Sequence, residues 1–365
     1  MNVQEIDALI QEKNPPCISI IIPTERAVKK ENYEVLKKSI QRAKESLMRK
    51  AYAEEMKISI ALRINAALKT LPSTLLEGLG IYISSKQTRT ILFPFPVKQK
   101  ITVDETFELR DLFYLRQYLT PYYVLSFSKN TLQFYSASMD EMEEIKDGNF
   151  PLLHDGQYKY PQHYSNPFNG NTLKVYGKGN AANSTDEIKV VLKEADAYLT
   201  PYLSEKVKLV LAGPQKAMGT FLTLTQFSKN VIGKVSGSFT GKSTSALGKS
   251  AWSALIRHKK SEDELLVQEL MQDKSHVAVG LEEAWKKTLE GKVDLLVVEK
   301  DFHFQAYQKP NHNEVSLQPS RKPYKVIADA VDELIKMVAN KNGKVVFMEN
   351  GQLKKLGHTA LLLHY

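Results

Sequence analysis

The apolar positions of the chain fall into blocks whose period changes from two to between three and four, and each change marks a new element. In "CISIIIPTERAV" Ile18 to Ile22 form a β-branched run stopped by Pro23, which predicts a short buried strand. A helix is expected next, because Val35, Leu36, Ile40, Ala43 and Leu47 recur at three- and four-residue steps. A second helix is expected over about 55–70, followed by the paired strands "EGLGIYISS" and "TRTILFPF". Together they make an α/β unit that closes near residue 115.

Two alternating runs in "PYYVLSFSKNTLQFYSASMDEMEEI" are separated by the turn "SKN" and predict a hairpin that opens a new sheet. In "STDE", Ser184 stands three residues before Glu187 as in a capping box, and Ile188, Val191, Leu192, Ala195 and Leu199 make one apolar helical face. "KVKLVLAGP" then reads as a buried strand ending in a glycine turn. Lysine- and serine-rich "GKVSGSFTGKSTSALGKSAW" is expected to be a boundary region. Beyond it come helices near 262–273 and 280–290, the strand "VDLLVVEK", a helix on Val326, Ile327, Ala330, Val331, Leu334, Ile335 and Val338, and the strands "GKVVFME" and "TALLLHY". This alternation argues for three consecutive α/β domains with mixed sheets, over 1–115, 116–252 and 253–365.

Composition narrows the class. With 365 residues, 42% hydrophobic and 25% charged, the chain is an ordinary globular one of two or three domains. No stretch has the order of a signal peptide, and no apolar run approaches the roughly 18 residues that span a bilayer, so a cytoplasmic protein with no membrane partner is expected. The lone Cys17 excludes an intrachain disulfide. A net charge of +9 favours polyanionic partners, because each lysine or arginine that meets a phosphate releases a condensed counterion.

The least core-like stretch is the polar run from Phe150 to Glu187, crowded with glycine, asparagine, histidine and tyrosine. Structureless runs beyond about 12–15 residues are uncommon in compact domains and are either functional or disordered. This one leads into a helix N-terminus, where unpaired N–H groups favour anions.

"CISIIIPTERA", "VKLVLAGPQKA" and "GKVVFMENGQLKKLGHTALLLHY", in that order, resemble segments of the class-1 archaeal and eukaryotic peptide-chain release factors. They resemble more closely the bacterial archaeo-eukaryotic release factor family. The resemblance spans essentially the whole chain and agrees with a three-domain α/β, release-factor-like architecture. It implies a middle-domain Gly-Gly-Gln loop ahead of a long helix, where glycine permits close approach to RNA and the glutamine region positions water against the peptidyl-tRNA ester. Two stretches compete for that role. Gly177, Lys178 and Gly179 in "YGKG" lie directly before the capped helix, and Gly156 and Gln157 in "DGQ" follow Asp155 where the first glycine belongs. Neither keeps the full tripeptide.

Codon reading in this family uses an Asn-Ile-Lys-Ser motif, of which only Lys57-Ile58-Ser59 is present as a fragment. Ribosome binding in rescue, release or stalling therefore fits better than stop-codon termination. The implied partners are the ribosome with tRNA or rRNA, and a protein held through the C-terminal domain. Lys174, Lys178, Lys234 and Lys242 are the residues expected to meet RNA phosphate. Catalysis is left open between ester hydrolysis, a non-catalytic RNA-binding factor, and an RNA nuclease that would need a carboxylate or metal cluster.

Other signals carry less. "SGSFTGKS" departs from the phosphate-loop pattern G-x-x-x-x-G-K-[ST], since Ser236 stands where the first glycine is required and Gly237 comes one place late. It reads as a solvated basic loop. His154, His163, His276, His303, His312, His358 and His364 show no metal-ligand spacing, so no metal or cofactor is expected, and His303 reads as a strand residue. Glu141, Glu143 and Glu144 read as a solvated face.

Overall fold

The run Ile18–Ile22 forms the buried middle of a sheet, as its β-branched composition requires. The computed structural model describes residues 3–25, 30–69, 75–128, 131–153, 184–239, 243–273, 275–308, 315–319 and 325–364. They divide into two compact units, residues 1–117 with 267–365, and residues 118–266.

The first unit begins with α1 (Val3–Ile10), β1 (Cys17–Pro23), α2 (Lys30–Met48), α3 (Glu54–Lys69), β2 (Gly78–Ile83), β3 (Thr88–Phe93), β4 (Lys100–Asp104) and α4 (Arg110–Arg116). Its strands form an antiparallel sheet in the order β3-β2-β1-β4. Of the apolar face predicted for α2, Leu36, Ile40, Ala43 and Leu47 pack on Ile18, Ile20 and Ile22 with Ile60 and Ile64 of α3, whereas Val35 is exposed.

The second unit contains β5 (Tyr122–Phe127), β6 (Thr131–Ser138), β7 (Glu141–Glu144), β8 (Leu152–Leu153), α5 (Ser184–Leu199), β9 (Lys208–Gly213), α6 (Gln215–Leu224), β10 (Val231–Ser236) and the start of α7 (Thr244–Gln272). The strand order is β10-β9-β5-β6-β7, with β8 beside β6. β5, β9 and β10 are parallel, and the expected hairpin adds β6 antiparallel to β5. Alternation on β5 separates the faces. Leu125 and Phe127 pack with α5 and α6, while Tyr122 and Val124 pack with Leu247, Ala251, Ala254 and Leu255 of α7.

The first unit resumes with β11 (Val277–Val279), α8 (Leu281–Leu289), β12 (Leu295–Glu299), β13 (Ala306–Gln308), β14 (Val315–Ser316), β15 (Lys325–Ile327), α9 (Ala330–Asn340), β16 (Lys344–Met348) and β17 (Thr359–Leu362). One mixed sheet runs β11-β17-β12-β16 and a small one runs β14-β13-β15. The fold is α/β, with mixed sheets over β5–β10 and over β11, β12, β16 and β17, and antiparallel sheets over β1–β4 and β13–β15.

Three sequence expectations change. The stretch expected to be a boundary region is β10 followed by the first turns of α7, and the helix expected at 262–273 is the end of that one long helix. Lys234, Ser243, Ser245 and Lys249 are exposed, while Leu247, Ala251 and Ala254 supply the packing. Val326 and Ile327 belong to β15, not to the following helix. Asp329 ends the strand by capping α9, its side chain accepting the N–H groups of Val331 and Asp332.

Candidate functional site: the shoulders of the long polar run

Gly156, Gln157, Lys174, Gly177, Lys178 and Gly179 lie outside the described residues, as do Lys242 and the side chains of the Ser184–Glu187 cap. What is described is how both ends of the run are held. On the entering side, β8 pairs Leu153 with Thr131 and Leu152 with Leu132. Just before it, Phe150 is 2% exposed and packs on Phe134 at 5.0 Å between ring centroids and on Tyr198 at 6.3 Å. Asp147 fixes that approach, because Oδ1 accepts the N–H of Asn149 at 3.0 Å and of Phe150 at 2.9 Å. Its Oδ2 accepts the Tyr202 hydroxyl at 2.6 Å.

Burial pushes the Asp147 carboxyl up, but the Tyr202 hydroxyl and the two backbone donors outweigh it and hold the group below its ordinary value. The same bond to Asp147, followed by burial, lifts the Tyr202 phenol to about 12. On the leaving side, Val191, Leu192, Ala195 and Leu199 of α5 enter the cluster that also holds Phe134, Phe150 and Leu152. Asp196 of α5 accepts the Thr225 hydroxyl and, at 3.4 Å, the N–H of Gln226. Both ends of the run are therefore anchored in one aromatic core.

Lys234 is exposed on β10, the edge strand of its sheet, with no partner among the described residues. A lysine there discourages strand addition and is also free to meet phosphate.

The first unit holds a charged cluster that sequence reasoning missed. Arg110, at the start of α4, donates Nε to Asp332 Oδ1 of α9 at 2.6 Å, and Lys100 of β4 reaches the other Asp332 oxygen. Lys100 also lies 2.7 Å from Glu108, and Lys336 lies 3.3 Å from Asp104 and 3.6 Å from Glu108. His303, which precedes β13 and is not in a strand, bonds Asp329 through Nδ1. His303, Asp329 and Asp332 bring one candidate ligand atom each within 4.8 Å of one another. A divalent cation would have to displace Arg110 and Lys100 from Asp332, and the second Asp329 oxygen already caps α9. These residues fit an ionic network joining β4, α4 and α9 better than a metal centre. Pairs so far apart in sequence leave no local signal.

Among the described residues no helix is long and apolar enough to cross a membrane. No curated protein matches the chain. Among solved structures, the archaeal translation termination factor aRF1 aligns at 13% identity over 100% of this chain and 99% of its own, with a TM-score of 0.25. Archaeoglobus fulgidus Pelota aligns at 15% identity over 100% and 92%, TM-score 0.39, and S. cerevisiae Dom34 at 11% over 100% and 92%, TM-score 0.40. At such scores these likenesses are no basis for assigning residues. The family model of bacterial archaeo-eukaryotic release factor family 3 matches residues 121–292, from β5 through α8 and across the whole polar run. The resemblance read from the sequence is therefore supported over residues 121–292, which are similar to the bacterial archaeo-eukaryotic release factors of family 3.

Proposed function

We propose that this protein is a cytoplasmic, ribosome-associated factor that acts in translation release, rescue or stalling. The observation that carries the reading is the family match over 121–292, which contains the polar run and both of its supports. The net charge of +9 supports contact with rRNA or tRNA, with Lys174, Lys178, Lys234 and Lys242 as phosphate contacts. Three functional domains, 1–115, 116–252 and 253–365, fit the alternation of elements, the last offering a surface to a protein partner.

Where the protein is catalytic, the reaction is hydrolysis of the peptidyl-tRNA ester. Water adds to the ester carbonyl, the tRNA ribose oxygen leaves with a proton, and the peptide is freed as its acid. The backbone at Gly177 and Gly179 would admit the ester and water, with Lys178 beside them. Gly156 and Gln157 form the competing tip. A non-catalytic role is the second reading, favoured by the absence of an intact Gly-Gly-Gln from both stretches.

The test is peptide release from ribosome-bound peptidyl-tRNA, with stop and sense codons compared in the A site. Release without stop-codon preference is expected, because the decoding motif is a fragment. Replacing Gly177 and Gly179 by valine is expected to abolish release and leave the thermal melt unchanged, with Gln157→Ala milder. The reverse order assigns the tip to Gln157. Ribosome binding with no release by the parent establishes the second reading.

A further inference from the structure

The face of the second unit's sheet that α7 covers changes character along the strands. Under α7 it is apolar, with Tyr122, Val124 and Ala137 packed on Ala251 and Ala254. Beyond the first turn of α7 the same face becomes polar, with Ser126 paired across the hairpin to Gln133, and Tyr135 to Glu144. A cavity of about 270 Å³ lies there, lined by Ser126, Gln133, Tyr135, Glu144, Phe239 and Thr244, among others.

Two of its side chains are more than nine-tenths buried and lack a hydrogen-bond partner among the described residues. Ser126 is 3% exposed and Tyr135 is 6% exposed. Their hydroxyls open onto the cavity and are not sealed within protein, so they are available to hydrogen-bond a ligand that enters it. Burial and then the Glu144 charge raise the Tyr135 phenol, which keeps it a neutral donor. Glu144 Oε1 accepts Gln133 Nε2 at 2.9 Å, and Oε2 faces Lys146 at 3.2 Å. Among the described residues the cavity lining contains no cation.

We infer that this cavity takes a single nucleotide, with the base inside and the phosphate at the rim. An acceptor-only carboxylate beside neutral hydroxyls rejects an anion and favours a ring bearing N–H donors. Phe239 and Leu247 supply an apolar wall for its flat faces. At the rim stand Ser243 and Thr244, where the opening turn of the long helix α7 leaves backbone N–H groups without helical partners. The volume falls just below the roughly 300–1,000 Å³ of drug-sized sites, which suits one nucleotide and excludes a dinucleotide. The site also lies beyond the carboxyl ends of parallel β5 and β10, where α/β sheets tend to bind ligands. The nucleotide is either free or an unpaired residue of RNA, and guanosine is favoured because N1–H and the N2 amine present adjacent donors to one carboxylate.

The test uses the whole protein without ribosomes, so it is independent of the proposed translational role. The four ribonucleoside monophosphates and short single-stranded oligoribonucleotides are titrated by calorimetry. Guanosine monophosphate is expected to bind best, and Tyr135→Phe and Glu144→Gln are each expected to weaken it about tenfold. Ser126→Val, which removes one of the open hydroxyls and adds a methyl group to the wall, is expected to weaken binding by a similar factor. Thermal melts accompany each variant, and the two isosteric changes keep the test valid if Ser126→Val misfolds. Binding of oligoribonucleotides alone, with the same sensitivity to the variants, identifies RNA as the source. No binding by either ligand, or binding that all three variants leave unchanged, overturns the inference.

Discussion

Asp332 is the point at which the charged cluster of the first unit is most exposed to perturbation, and Asp332→Asn removes its charge at nearly constant shape. The side chains of Asp332 and Arg110 are only 6% and 9% exposed. Losing the charge leaves the buried guanidinium only the more distant Asp329, at 3.8 Å, as counter-ion, and breaking a buried pair outright costs about 3–5 kcal/mol. Two features reduce the loss. The amide keeps an acceptor for Nε, and Lys100, 34% exposed, retains Glu108 at 2.7 Å. The lower end, about 3 kcal/mol, is therefore expected. For a domain of about 150–250 residues this corresponds to about 6–12 °C in melting temperature. Urea titration followed by circular dichroism measures it, with the midpoint moving and the slope unchanged. The pair Arg110→Met with Asp332→Leu, which removes both charges, is expected to melt closer to the parent than Asp332→Asn. A single variant within about 0.5 kcal/mol of the parent, the range of an ordinary surface change, refutes the reading of this cluster as a structural network.

Other outcomes follow from single residues. Burial, opposed in part by Arg110, pushes the Asp111 carboxyl up to about 6 from an ordinary 3.8, so the folded state holds its proton more firmly than the unfolded state. The resulting penalty is full above pH 6 and disappears towards pH 4, so Asp111→Asn is expected to exceed the parent in stability at pH 7 and to converge with it near pH 4. A constant difference over that range contradicts this. Asp329 has the opposite sign. Against its burial, His303 and Arg110 hold it at about 2, so its contribution is complete above 3.8 and is lost towards pH 2, a loss that Asp329→Asn should remove. In α7, a Cβ at Gly248 would stand 2.1 Å from the Asp140 carbonyl oxygen, so Gly248→Ala is expected to lose about 1–3 kcal/mol. Gly219 in α6 meets nothing within 4 Å, and Gly219→Ala is expected to gain about 0.5–1 kcal/mol. Equal thermal melts for the two glycine variants would falsify the packing of α7 on the β6–β7 turn.

Sequence pattern revealed most where burial follows a local period. The helical face of Leu36, Ile40, Ala43 and Leu47, the hairpin around Ser128, and α5 on Val191, Leu192, Ala195 and Leu199 all stand where the spacing placed them. It misled where composition stood in for packing. The lysines and serines of 233–252 suggested a boundary, yet within that stretch Gly233 and Gly248 are small because a helix and a carbonyl approach them closely. Arg110 and Asp332 are 222 positions apart and no local period joins them. The nucleotide-sized cavity had a legible trace, since one face of β5 passes from Tyr122 and Val124 to Ser126 and Ser128. That trace gains meaning only once α7 is known to end its cover there.

The central claim is association with the ribosome, and the most direct measurement is co-sedimentation of the purified protein with ribosomes over a salt series. Binding at low salt is expected, with the logarithm of the association constant falling linearly as the logarithm of salt concentration rises, by about 0.7–0.9 per phosphate contact. Lys234→Ala should lower that slope by about one contact. Absence of the protein from the ribosome pellet at the lowest salt would contradict the account.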